Sequence, residues 1–117
     1  MLTHKNLEVW QDSLNLIEMI YKSTRNFPDD EKFGLVTQIR RAAIAIPSNI
    51  AEGYARNYPK ELIQFLYVAL GSLSELETQF IISKRLNYIL PDDILNLTEI
   101  TRRKLLNLIK YHKSKLK

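Results

Sequence analysis

The hydrophobic residues of this chain recur at three- and four-residue steps along most of its length, and they do not alternate with polar residues over any long stretch. Such spacing places apolar side chains on one side of an α-helix, whereas a half-buried strand requires alternation. The sequence therefore predicts an all-α fold. In the first 25 residues the apolar row comprises Leu7, Trp10, Leu14, Ile17, Tyr21 and Thr24.

Proline and asparagine clusters at residues 26–30, 56–59 and 87–93 divide the chain into four segments. Short links between long helices favour antiparallel neighbours, so the sequence predicts a single domain over residues 1–117, an up-down-up-down four-helix bundle. The predicted core row of the third helix is Leu62, Leu66, Ala69, Leu73, Leu76 and Phe80. The predicted core row of the fourth helix is Ile94, Leu97, Thr101, Leu105, Leu108 and His112.

The second segment keeps its helical spacing straight through a proline, Pro47. A proline inside a helix removes one backbone hydrogen bond and costs about 3 kcal/mol. Because no glycine interrupts the segment between Gly34 and Gly53, we predict one helix that is kinked at Pro47. Its apolar row is Phe33, Val36, Ile39, Ala43, Ile46 and Ile50.

Several classes of chemistry lack the residues that they require. The chain has no cysteine, which excludes disulfides, thiolate zinc sites and cysteine nucleophiles. Its two histidines, His4 and His112, lie near opposite ends of the sequence without carboxylates at helical ligand spacing. We therefore expect no metal, no cofactor and no enzymatic activity. With no leader pattern and no run of roughly 18 apolar residues, we expect a cytoplasmic protein without a membrane partner.

Positive charge is concentrated in the last helix. Residues 1–93 hold 10 Lys and Arg against 12 Asp and Glu, whereas residues 94–117 hold 7 Lys and Arg against Glu99 alone. A solvated helix face, a phosphate-binding surface and a membrane-attachment surface all remain open as explanations. The candidate phosphate contacts are Arg102, Arg103, Lys104, Lys110 and Lys113, together with Arg40 and Arg41 if an oligomer exposes them.

The third helix carries a second apolar row beside its core row: Ile63, Tyr67, Leu70 and Ile81. One explanation is a wide core face within the chain. The other is contact with a second subunit, which would make the protein a homo-oligomer.

Acidic side chains on the second and third helices could in principle serve acid–base catalysis. Ion pairing is the favoured interpretation, because arginines on the neighbouring helix are available as partners. We predict that Arg40 or Arg41 pairs with Glu52 or Glu75 in an interhelical polar network, and that Glu75→Ala lowers the melting temperature or loosens an oligomer. The predicted members are Gln38, Arg41, Asn49, Glu52 and Glu75.

Three stretches carry a family resemblance: residues 27–53 (FPDDEKFGLVTQIRRAAIAIPSNIAEG), residues 9–11 (VWQ) and residues 69–77 (ALGSLSELE). Together they resemble the bacterial 23S rRNA-intervening-sequence proteins, which are four-helix bundle proteins. The resemblance implies an antiparallel bundle that assembles into a ring, typically a pentamer. The family's name records where some of its genes lie, within insertions in ribosomal RNA genes.

The accessory proteins of diversity-generating retroelements look similar as well. In those proteins a basic pentameric barrel binds nucleic acid and a reverse transcriptase. The leading functional hypothesis is therefore a non-enzymatic scaffold that binds nucleic acid, either RNA or DNA. The alternative is a protein–protein interaction module, and salt dependence separates the two, because phosphate contacts weaken steeply with salt.

Overall fold

Four α-helices and two single-turn 3₁₀-helices make up the fold in residues 3–116, the part of the chain that the computed structural model describes. No strand occurs in that span, so the predicted all-α fold with four helices is confirmed. The 3₁₀-helices cover His4–Asn6 and Asp29–Glu31. The α-helices are α1 (Glu8–Thr24), α2 (Leu35–Tyr54), α3 (Pro59–Arg85) and α4 (Asp92–Ser114).

Each α-helix packs against two others around one core. α1 contacts α2 and α4, and α3 contacts the same two helices. The molecule measures 49 × 24 × 24 Å, which is two helices thick in both short directions. Fully buried side chains from all four helices fill the centre: Leu16, Ile20, Ile39, Ile46, Ile50, Leu66, Leu73, Leu76, Ile94 and Leu105.

The helix boundaries follow the residues that punctuate the sequence. Pro59 is the first residue of α3, and Pro91 immediately precedes α4, whose first turn contains Asp92 and Asp93. Proline fits these positions because the first amides of a helix have no intrahelical acceptor, and the carboxylates lie at the positive end of the helix dipole. At the other end of α3, Asn87 takes φ 64°, a left-handed conformation that ends the helix.

The most buried face of α1 is centred one residue away from the predicted row, of which Thr24 is buried and Leu7, Trp10 and Ile17 pack against the edge of the core. Val9, Ser13, Leu16, Ile20 and Thr24 are buried, whereas Leu14 of the predicted row is 36% exposed. The buried face differs from the predicted one because α1 packs against both α2 and α4, and the side of α1 that points between these two helices becomes buried. Periodicity alone does not distinguish this face from its neighbour.

α2 continues as one helix through Pro47, so the predicted continuity is confirmed. The predicted core row holds from Val36 onwards, but Phe33 precedes the helix and is 89% exposed. α2 also approaches α3 very closely near its end: a Cβ built on Gly53 would lie 2.9 Å from the Cβ of Phe65. A glycine is required there, because any side chain would collide with α3.

Candidate nucleic-acid and subunit interfaces

The centre of the basic last helix is fastened to α1 by an ion pair. The Nζ of Lys104 lies 2.6 Å from Oδ2 of Asp12 and 3.2 Å from Oε1 of Glu8. The hydrogen bond to Asp12 is the main cause of the raised pKa of Lys104. Lys104, a predicted phosphate contact, therefore already has two carboxylate partners within the chain.

The two arginines that precede Lys104 are also paired with carboxylates. Arg102 Nε lies 3.5 Å from Oε1 of Glu77 on α3, and Arg103 Nε lies 3.4 Å from Oε1 of Glu99 one turn earlier. Burial raises the pKa of Glu77, and nearby Arg102 partly offsets this effect. Three of the predicted phosphate contacts thus have their charge compensated locally.

The lysines at the C-terminal end of α4 have a different environment. Lys110 is exposed, Lys113 donates to the hydroxyl of Tyr67 at 3.2 Å, and Lys115 lies 5.2 Å from the ring centre of Tyr111. Within residues 3–116, no carboxylate oxygen comes within 4.0 Å of these three ammonium groups. We name Lys110, Lys113, Lys115, Tyr67 and Tyr111 the lysine–tyrosine end. Lys117, the last lysine of the basic segment, lies outside the described residues.

Arg40 and Arg41 have separate environments although they are adjacent in sequence. The guanidinium of Arg40 lies 4.2 Å from the ring centre of Tyr21, and it donates to the Tyr21 carbonyl at 3.2 Å and the Thr24 hydroxyl at 3.1 Å. Arg40 therefore joins α2 to α1. The side chain of Arg41 is exposed.

The predicted polar network is not assembled within the chain. Glu52 lies 4.0 Å from Arg56, Glu75 accepts from Gln79 at 3.3 Å, and Asn49 donates to a carbonyl one turn earlier in α2. Each of these partners lies four residues away in the sequence. The partners of Asn49 and Glu75 lie on the same helix, whereas Arg56 follows the end of α2. No hydrogen bond or ion pair in the described chain connects the five predicted members: Gln38, Arg41, Asn49, Glu52 and Glu75.

The second apolar row of α3 divides between core and surface. Ile63 is buried and Leu70 packs against the core, so both contribute to a wide core face. Tyr67 is 45% exposed and Ile81 is 59% exposed. The exposed pair supplies apolar surface beside α4, with the Tyr67 hydroxyl already engaged by Lys113.

An apolar groove, which sequence reasoning missed, lies between the end of α3 and the start of α4. It has a volume of about 720 Å³. Its apolar walls include Phe80, Ile81, Tyr88, Ile89 and Leu95. Two features of the sequence could have indicated it: the apolar pair Ile89 and Leu90 after Tyr88, and Leu95 at the start of α4, which lies outside the predicted core row. We name it the α3–α4 groove.

Tyr88 is held at the edge of the groove by both backbone and side chain. Because Asn87 is left-handed, the Tyr88 amide donates to the Ser83 carbonyl at 2.8 Å. Its hydroxyl donates to Oε2 of Glu31 at 2.8 Å, which raises the pKa of Tyr88, and its ring lies 5.1 Å from the ring of Phe27. The connection between α3 and α4 is therefore tied to the connection between α1 and α2.

His112 forms a packed pair with Tyr54. The hydroxyl of Tyr54 and Nε2 of His112 lie 2.7 Å apart and connect the ends of α2 and α4. Burial raises the pKa of Tyr54 to about 12 and lowers that of His112. Within residues 3–116, no group of three His, Cys, Asp or Glu residues is arranged to hold a metal ion.

No helix in the described span combines the length and apolar character needed to cross a membrane. Comparison with curated proteins finds no match. The family model of the 23S rRNA-intervening sequence proteins matches residues 5–109, which include α1, α2, α3 and most of α4. The match extends over nearly the whole bundle, and the chain therefore belongs to the family of 23S rRNA-intervening sequence proteins.

Proposed function

We propose that this chain is a non-enzymatic homo-oligomeric scaffold that binds nucleic acid through its lysine–tyrosine end. The observation that carries this proposal is the contrast along α4. Arg102, Arg103 and Lys104 are paired with carboxylates, whereas Lys110 and Lys113 have no carboxylate partner within residues 3–116. Ammonium groups attract phosphates, and exposed tyrosine rings beside them can stack on unpaired bases.

Contacts between helix ends support a compact basic surface. Tyr54 at the end of α2 meets His112 near the end of α4, and Lys113 meets Tyr67 near the start of α3. These contacts are those expected if neighbouring helices alternate in direction, and we propose an antiparallel up-down-up-down bundle. The lysines of α4 then lie at the same end as the connection between α2 and α3.

We further propose that α2 bends at Pro47. Proline has no amide hydrogen, so the carbonyl of Ala43 loses its usual helical donor, and the proline ring crowds the preceding turn.

Repetition of the chain in a ring would strengthen the proposed binding. The resemblance to the bacterial family implies a pentamer, and each copy would present its own lysine–tyrosine end to the same strand. Several weak charged contacts then act together, since a second contact on one strand forms at a high effective concentration. We extend to this chain the nucleic-acid role implied by the resemblance to retroelement accessory proteins, and we place the protein in the cytoplasm.

Light scattering of the purified protein, alone and with a pool of RNA fragments, tests the proposal. We expect a mass several times the 13.7 kDa of one chain. We also expect RNA uptake at about 50 mM salt that is largely abolished at about 200 mM, the range over which phosphate contacts weaken steeply. An oligomer that takes up no RNA at either salt concentration would contradict nucleic-acid binding, and a monomer would contradict the scaffold.

A protein-interaction module is the second candidate, and the α3–α4 groove favours it. Apolar walls such as Ile81, Ile89 and Leu95 suit a protein partner better than a phosphate backbone. Binding through this groove would change little between the two salt concentrations, because apolar burial is not screened by ions. Salt dependence of the bound fraction therefore discriminates between the two functions.

A further inference from the structure

The two most exposed large hydrophobic side chains in residues 3–116 lie near the same end of the bundle. Phe33 is 89% exposed in the connection before α2, and Ile89 is 86% exposed at the α3–α4 groove. The hydrogen bond between Tyr88 and Glu31 brings these two connections together. One end of the molecule thus carries both a protruding aromatic ring and an apolar groove.

We propose that Phe33 of one copy inserts into the α3–α4 groove of a second copy of this chain. The groove is then a subunit contact, to which the neighbouring molecule contributes an essential residue. This inference rests on the homo-oligomer proposed above and identifies the contact that builds it.

The two surfaces are different parts of the molecule. Phe33 lies in the connection between α1 and α2, whereas the groove lies between α3 and α4 and does not include Phe33 among its walls. A contact between unlike surfaces repeats from copy to copy and closes into a ring when the rotation allows it. Both surfaces lie at the same end of the bundle, so copies can pack side by side with their long axes aligned. The phenyl group of Phe33 in each copy then lies at the same height along the long axis as the groove of its neighbour.

One opposite-charge pair is available across this contact, between Lys32 beside Phe33 and Asp92 at the groove, although the connection that carries Phe33 also holds Asp29, Asp30 and Glu31. The Nζ of Lys32 lies 5.7 Å from the centre of the Phe33 ring, so a positive charge accompanies the aromatic side chain. Carboxylates of Glu77 and Asp92 line the groove, alongside the single cation Lys84. Glu77 is partly engaged by Arg102, which leaves Asp92 as the exposed carboxylate for an incoming lysine. Such pairing orients a contact whose apolar centre excludes water.

The groove is also shaped before any partner arrives. Tyr88 is fixed by its bond to Glu31 and by the left-handed Asn87. A wall that is already ordered loses little conformational freedom on binding, which favours insertion of a rigid ring.

A pair of complementary variants tests this arrangement by light scattering. Phe33→Ser removes the inserted phenyl group but keeps the groove, and Ile89→Asp blocks the groove but keeps the Phe33 side chain. Both positions are exposed, so each variant should fold, which far-ultraviolet circular dichroism verifies. We expect each variant alone to have the 13.7 kDa mass of one chain. An equimolar mixture should form a complex of two chains, in which Phe33 of the Ile89→Asp variant occupies the groove of the Phe33→Ser variant. A closed oligomer should not form, because no second intact contact is available.

Tyr58→Ser is the matched control, since Tyr58 is an aromatic residue that is 67% exposed and follows α2 rather than preceding it. It should keep the mass of the unaltered protein. Leu95→Asp provides a second groove variant with the same expected monomeric mass.

Three outcomes would overturn the inference. If the unaltered protein is an oligomer and Phe33→Ser keeps its mass, the insertion is wrong while the proposed scaffold stands. The same holds if both variants are monomeric but their mixture forms no pair. If the unaltered protein is a monomer, the scaffold fails together with the inserted contact.

Discussion

The Nζ of Lys104 on α4 lies 2.6 Å from Oδ2 of Asp12 on α1, and this contact changes how the basic helix is understood. The sequence separates the two residues by 92 positions, so charge counting treats Lys104 as available. In the folded chain the ammonium group is part of the α1–α4 contact. The lysines closer to the C-terminus are consequently better candidates for phosphate contacts.

Replacing Lys110 and Lys113 should weaken nucleic-acid binding. The double variant Lys110→Gln with Lys113→Gln should bind RNA less tightly at about 50 mM salt. For each phosphate that is no longer neutralised, the slope of log affinity against log salt should become shallower by roughly 0.7. Fluorescence anisotropy with a labelled single-stranded RNA at several salt concentrations measures both quantities.

Arg103→Gln is the matched control on the same helix and should keep the slope, because its charge is already paired with Glu99. Equal reductions of affinity in the double variant and in Arg103→Gln would contradict the assignment.

Lys104→Gln should affect stability rather than binding. The ion pair is partly exposed, so its removal should lower the free energy of unfolding by about 0.2–1 kcal/mol, while RNA affinity stays unchanged. Urea denaturation and anisotropy on the same sample measure both effects. A decrease in RNA affinity without a decrease in the free energy of unfolding would indicate that Lys104 contacts RNA.

Two glycine-to-alanine variants should change stability in opposite directions. At Gly53 a new Cβ would lie 2.9 Å from the Cβ of Phe65, so α2 and α3 must move apart at a cost of about 1–3 kcal/mol. At Gly71 no atom lies within 4 Å of an added Cβ, and alanine should gain about 1 kcal/mol from its higher helix propensity. Thermal denaturation compares the two variants, and a stabilised Gly53→Ala would contradict the close helix contact.

Stability should decline in mild acid because of His112. Burial lowers its pKa in the folded chain below the ordinary value of about 6.5. Between the folded and unfolded pKa values the unfolded chain binds more protons, so the free energy of unfolding falls as the pH drops from about 6.5 through the folded pKa. Denaturation curves across this range measure the effect. His112→Gln should make the free energy of unfolding less dependent on pH below about pH 6.5. His4→Gln leaves the Tyr54–His112 pair intact and should keep the pH dependence of the unaltered protein.

A buried amide on α3 offers a way to stabilise the protein. Gln79 is 4% exposed, and its Oε1 has no hydrogen-bond partner among the described residues. A buried acceptor without a donor costs about 1–3 kcal/mol, so Gln79→Met should raise the free energy of unfolding by about 1 kcal/mol. The exposed Gln64→Met serves as the control and should change it by less than about 0.5 kcal/mol. A destabilised Gln79→Met would indicate that the amide has a partner in the assembled protein.

Local features of the sequence were sufficient to predict the helices of this protein. The proline and asparagine clusters separate successive helices, and Pro59, Pro91 and Asn87 mark helix ends through their own backbone geometry. The same periodicity predicted the core row of α3, and the long run around Pro47 identified the family.

Only the tertiary structure decided which face of α1 is buried and which charges are available. Periodicity locates an apolar row to within one residue, and the choice between adjacent rows depends on where α2 and α4 lie. The pairing of Lys104 with Asp12, the α3–α4 groove and the exposure of Phe33 all depend on distances between helices that are far apart in sequence. Such distances are set by packing around the common core, which no local pattern specifies.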